Sequence, residues 1–158
     1  FLNFAESCAQ QSYDIKTKVG AVITKGDQIL SYSYNGTPPG WDNTMRDSYG
    51  KTLPYVIHAE AFAIAKMARS ACSAKGCTMY CTLSPCVECV KLIIAAGITK
   101  VVYRDTYKCQ DGIQMLVDAE IETIQYKSED SLPIYKCSGP THANLVGRSW
   151  VTNHTGLQ

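Results

Sequence analysis

Thr78–Arg104, TMYCTLSPCVECVKLIIAAGITKVVYR, decides the fold. Thr78–Thr82 is a short β-rich run. Pro85 opens a helix that runs through Ala96, and Gly97 ends it, the usual Pro-first, Gly-last asymmetry. Lys100–Arg104 is β-rich again. Downstream, Gly112–Ala119 reads as a helix and Ile121–Tyr126 as a last strand. Upstream, His58–Ser70 is alanine-rich with Phe62, Ile64 and Met67 on nearly all sides, the pattern of a buried helix. Val19–Thr24 and Gln28–Tyr34 form a hairpin around Lys25-Gly26-Asp27. Phe1, Phe4, Ala5, Cys8 and Ala9 give residues 1–13 helical spacing. The order is α-β-β-α-β-α-β-α-β. Helices alternating with strands in the second half predict an α/β fold, a three-layer α/β/α sandwich on a five-stranded mixed sheet.

Residues 35–54 carry Asn35-Gly36, Pro38-Pro39-Gly40 and Leu53-Pro54, and read as a long loop of functional type. Residues 127–158 lack periodicity and contain Pro133, Gly139, Pro140 and Gly147. They are expected to form an extension beyond a single folded domain at 1–126.

The chain has 158 residues, 46% hydrophobic and 18% charged, with a net charge of +1. Its fifteen Lys and Arg are scattered, whereas a protein living on phosphate backbones shows a basic stripe. A nucleic-acid partner is therefore not expected, though a small phosphorylated substrate needs only one or two cations. Phe1 in place of Met suggests trimmed ends. No signal peptide or membrane-spanning run is seen, so a cytoplasmic location is expected, in the host cytoplasm if phage-encoded. The eight cysteines read as thiols or metal ligands rather than disulfides.

Chemistry concentrates in two motifs, His58-Ala59-Glu60 and Pro85-Cys86-Val87-Glu88-Cys89, each opening a predicted helix. Cys86 and Cys89 are three apart and share a helix face. The positive end of the helix dipole favours their thiolates. With His58 they make a three-ligand zinc set whose two thiolate charges neutralise the dication. Structural zinc has four protein ligands, and catalytic zinc leaves one position open. Glu60 has two readings, a further ligand or a proton carrier beside the metal. Side chains two apart point to different sides of a helix, which favours the carrier. A structural zinc site closed by His142 or His154 is the bland alternative. Cys8, Cys72, Cys77, Cys81, Cys109 and Cys137 read as buried small hydrophobes.

His-Ala-Glu followed by Thr-Leu-Ser-Pro-Cys-x-x-Cys resembles the zinc nucleoside and base deaminases, and most closely the deoxycytidylate (dCMP) deaminases of short phage and bacterial type. Val19-Gly20-Ala21-Val22, Tyr34-Asn35-Gly36-Thr37-Pro38 and residues 77–105 are similar as well. The resemblance covers residues 1–126 and is absent from the tail. It implies a cytidine-deaminase-like sandwich and hydrolytic deamination of dCMP to dUMP. Zn2+ would be held by His58, Cys86 and Cys89, and Glu60 would carry protons from water to the ring nitrogen and the departing ammonia. It also implies that backbone at Ala59 and Ser84 holds the pyrimidine's polar edge, that Asn35 binds the sugar hydroxyl and that Tyr107 lines the pocket. For Asn35 the bland reading is an Asn-Gly turn, and for Tyr107 an exposed loop aromatic. Lys18, Arg46 and Lys108 flank the pocket loops and are the candidate phosphate cations. The resemblance further implies a homo-oligomer, a hexamer, regulated by dCTP and by dTTP with Mg2+. Relatives with this loop read His-Ala-Glu-x-Asn, whereas Phe62 replaces the asparagine here, which bears on substrate and regulation. The competing functions are a base deaminase acting on tRNA or single strands, and a non-catalytic zinc module.

Overall fold

The computed structural model describes residues 1–127; the expected extension, with Cys137, His142 and His154, lies outside them. Nine elements follow the expected order: α1 Leu2–Ala9, β1 Gly20–Lys25, β2 Gln28–Tyr34, α2 Ala59–Ala68, β3 Thr78–Leu83, α3 Val87–Ala95, β4 Lys100–Asp105, α4 Asp111–Asp118 and β5 Glu122–Gln125. The strands form one sheet in the order β2-β1-β3-β4-β5. β1 pairs antiparallel with β2 and β3, while β3, β4 and β5 run parallel, so the sheet is mixed. Gly26 sits at φ +60° in the β1–β2 turn, a conformation that favours glycine.

Strand alternation sorts the side chains into two layers. Ala21, Ile23, Met79, Cys81, Val101 and Tyr103 pack against Ala63 and Met67 of α2, Val90 and Ile93 of α3 and Leu116 of α4. Val22 lies between Tyr32 and Tyr80 in the register and faces the other way. Phe1 meets the Tyr80 ring at 5.1 Å and Phe4 meets Tyr32 at 5.5 Å, so α1 covers this second face. Gly20 lets α1 approach, because a Cβ there would overlap the Ala5 carbonyl oxygen.

Three element readings shift. α1 stops at Ala9 rather than continuing to residue 13, because Ser12 turns its hydroxyl onto the Asn35 carbonyl at 2.9 Å. α2 is not apolar-buried all round: Ala59, Glu60, Ala63 and Met67 are buried, and Phe62 lines a surface cavity. α3 begins at Val87, with Pro85 before its N-cap. Among the described residues seven cysteines are free, of which Cys72 and Cys109 are exposed rather than buried. No helix of the described residues is long and apolar enough to cross a membrane.

Candidate active site

His58 is the N-cap of α2 and Cys86 the N-cap of α3, both in extended backbone. An N-cap residue has left the helical path, so its side chain crosses the helix end instead of following a face. Cys89 adds its sulfur from the first turn of α3. Helix α2 is stitched to β2 by two serine hydroxyls: Ser31 donates to the Ala63 carbonyl at 2.9 Å and Ser33 to the Ala59 carbonyl. These bonds fix where the His58 end of the helix lies.

The Sγ atoms of Cys86 and Cys89 lie 3.4 and 3.5 Å from His58 Nδ1. All three candidate ligand atoms fall within 4.8 Å of one another. Zinc–sulfur and zinc–nitrogen bonds of ordinary length set a tetrahedral S···N edge of about 3.5 Å. Two soft sulfurs and one imidazole at that spacing fit zinc. Among the described residues this group is the candidate metal cluster, and Glu60 is not part of it. Glu60 is 4% exposed and lines the same cavity as His58 and Cys86.

Contacts among these groups set their protonation. A hydrogen bond from Cys89, with one from His58, pulls the Cys86 thiol down to about 3. Cys89 is pushed up by sharing its proton with that thiolate and by burial. His58 is raised, chiefly by the Cys86 contact. Burial raises Glu60 above the ordinary carboxylate value, the direction that suits a group taking and returning protons near neutral pH.

The cavity has a volume of about 120 Å³ and brings together Asn35, Ala59, Glu60, Ser84, Cys86 and Tyr107 with His58. Asn35 is 7% exposed and anchored at both ends of its amide. Its oxygen accepts the Val19 N–H at 2.8 Å and its nitrogen donates to the Thr17 carbonyl at 2.9 Å. Ser84 is buried and its hydroxyl accepts the Tyr107 N–H at 2.8 Å, tying the loop after β4 to the site. Of the three candidate cations only Arg46 lines the cavity; Lys18 donates instead to the Gln10 carbonyl at 3.3 Å. Sequence reasoning missed Asp14, Thr17 and Thr52 on the cavity wall. They come from irregular segments, where no periodicity marks a side chain's direction. No signal in the sequence joins Asp14 to Arg46, which lies 32 positions away.

The family model for the cytidine and deoxycytidylate deaminase zinc-binding region matches residues 1–105. Human deoxycytidylate deaminase is 40% identical over 120 residues, covering 70% of this chain and 66% of the human protein. The chain thus spans just under two thirds of that relative's length. The phage T4 deoxycytidylate deaminase is 35% identical over 147 residues, covering 67% of this chain and 76% of the phage protein. The crystal structure of dCMP deaminase from cyanophage S-TIM5, in complex with dCMP and dUMP, superposes with a TM-score of 0.76 at 41% identity. It covers 80% of this chain and 92% of that one. The N-cap ligands, the tetrahedral spacing and the mixed sheet that carries them all lie inside or beside the matched region, and the chain belongs to the cytidine and deoxycytidylate deaminase family.

Proposed function

We propose that this chain deaminates dCMP to dUMP hydrolytically, with release of ammonia. The observation that carries the reading is the division of labour at the site. Three ligands lie at zinc spacing, and a buried carboxylate outside the ligand set shares their cavity. Zinc held by His58, Cys86 and Cys89 supplies a Lewis acid that makes water a nucleophile near neutral pH.

The chain's own groups do the rest. Glu60 takes a proton from the attacking water and delivers it to the ring nitrogen. The water oxygen bonds to the amino-bearing carbon, Glu60 then moves the remaining hydroxyl proton of that adduct to the amine, and the C–N bond breaks to leave a carbonyl and ammonia. Ala59 is the first residue of α2, where a backbone N–H has no intrahelical partner. It serves the pyrimidine's polar edge together with the backbone at Ser84. Asn35 keeps one donor and one acceptor site beyond its two protein bonds, and these serve the sugar hydroxyl. Tyr107 closes the side of the pocket.

The same reading extends to assembly and location, on family resemblance. The chain forms a homo-oligomer, a hexamer, in the cytoplasm. It responds to dCTP and to dTTP with Mg2+. A second cavity of about 290 Å³ lies under the Gly36–Trp41 segment, with Phe62 and Lys66 in its wall, and offers room beside the active-site loop. The test is ammonia release across cytosine and adenine compounds at nucleoside, monophosphate, triphosphate and polymer level, repeated with both triphosphates. Preference for dCMP supports the reading. Preference for a base within tRNA or single-stranded DNA defeats it.

A further inference from the structure

The cavity that holds Glu60 has a second polar wall, made of Asp14, Thr17, Arg46 and Thr52. Arg46 is fixed there at three points. Its Nε and Nη2 donate to the two oxygens of Asp14 at 2.8 Å each, and its Nη1 donates to the Gly50 carbonyl at 2.9 Å. Asp14 is 2% exposed, and its Oδ1 also accepts the backbone N–H of Lys16 at 2.7 Å and of Thr17 at 3.0 Å. The carboxylate is thus saturated by protein donors. The guanidinium is not, because it has more N–H groups than these three bonds use. Lys16 Nζ donates to the same Gly50 carbonyl at 3.2 Å from outside the cavity wall, so Arg46 is the cation that faces the cavity. Neither Lys18 nor Lys108 lines the cavity.

We propose that Arg46 recognises the 5′-phosphate of the substrate through its uncommitted N–H groups, with Asp14 as the positioning residue that aims it. The inference rests on the nucleotide reading above. Arginine matches phosphate geometry with paired donors. A guanidinium already held in place by Asp14 loses little further freedom when the phosphate arrives. The exposed Thr17 and Thr52 on the same wall add hydroxyls within the same pocket. A nucleoside lacks the group that Arg46 meets, so Arg46 becomes the residue that tells monophosphate from nucleoside.

The experiment compares kcat/KM for dCMP and deoxycytidine in the zinc-loaded chain and in Arg46→Gln. The expected result is a dCMP-over-deoxycytidine ratio that falls about tenfold to a hundredfold in the variant, carried mainly by KM for dCMP. Arg46→Gln leaves Asp14 buried without its partner and risks misfolding. The double variant Asp14→Asn/Arg46→Gln removes both charges together, keeps an amide pair able to hydrogen-bond, and is expected to show the same loss. A folded variant with the wild-type ratio overturns the inference. An equal fall on both substrates also overturns it, since the pair would then only shape the loop. If the wild-type chain itself shows no preference for dCMP, the nucleotide reading fails and this inference falls with it. If the wild type prefers dCMP and the variants do too, only the role of Arg46 fails.

Discussion

Gly112→Ala tests whether the metal site depends on close packing of α4 against the start of α3. Gly112 is buried in the first turn of α4. A Cβ there would overlap the Pro85 carbonyl oxygen and sit 3.2 Å from the carbonyl carbons of Pro85 and Cys86. The obstacle is backbone, not the end of a flexible side chain, so the two segments must part. Restoring ordinary contact requires a shift on the order of 1 Å. That shift falls on the peptide that carries Cys86, and zinc ligation tolerates about 0.2 Å. Overpacking of this kind costs about 1–3 kcal/mol, which lowers the melting temperature by roughly 3–12 °C. A misplacement of about 1 Å at the reacting centre lowers turnover about a hundredfold. Elemental analysis and thermal unfolding of the variant, beside Gly36→Ala as control, provide the assay. At Gly36 a Cβ would meet only Tyr34 and Phe62 side-chain atoms at 3.9 and 4.0 Å, so that variant should unfold within a few degrees of wild type. Full zinc content and an unchanged melting temperature in Gly112→Ala would refute the packing argument.

Three further outcomes are expected. Glu60→Gln should fold and retain zinc while turnover falls about 10²–10⁴-fold; zinc release from that variant, read by elemental analysis, would make the carboxylate a ligand. Cys86→Ala should purify without zinc and without activity, and zinc binding to the wild-type apo chain should release protons and weaken on acidification, followed by a pH-indicator titration. Burial favours the protonated form of Asp14, but the hydrogen bonds from Arg46, Thr17 and Lys16 outweigh it and hold the carboxyl below its ordinary value of 3.8. A depressed folded-state value gives stability that is present above the ordinary value and lost as pH falls through the depressed one. The melting-temperature gap between wild type and Asp14→Asn/Arg46→Gln should therefore close below about pH 4, and a gap independent of pH would contradict the ion pair.

What could be read in the sequence was local. His58, Cys86 and Cys89 were legible because their spacing puts each beside a helix start, and helix starts announce themselves through periodicity and proline. The element order was legible for the same reason, since the strands of the core are continuous β-rich runs. What was not legible depends on distant segments meeting. Asp14 and Arg46 are joined by a bidentate contact across 32 positions, and neither sits in a periodic element. Phe62 read as core packing on a buried helix, yet it is half-buried and shares a cavity wall with residues of the Gly36–Trp41 segment, a meeting of distant segments that helical periodicity does not show. The end of α1 was misjudged because a hydroxyl contact from Ser12 to Asn35, invisible to helical periodicity, turns the chain.

The most direct test of the account is to incubate the zinc-loaded chain with dCMP in oxygen-18 water and to follow base composition, isotope content and ammonia together. The account predicts dUMP carrying oxygen-18 at the ring carbon that bore the amine, one ammonia for each dUMP, and no product from Cys86→Ala or Glu60→Gln beyond the residual rate. Unconverted dCMP in the presence of bound zinc, or product formed equally well by Glu60→Gln, would contradict it.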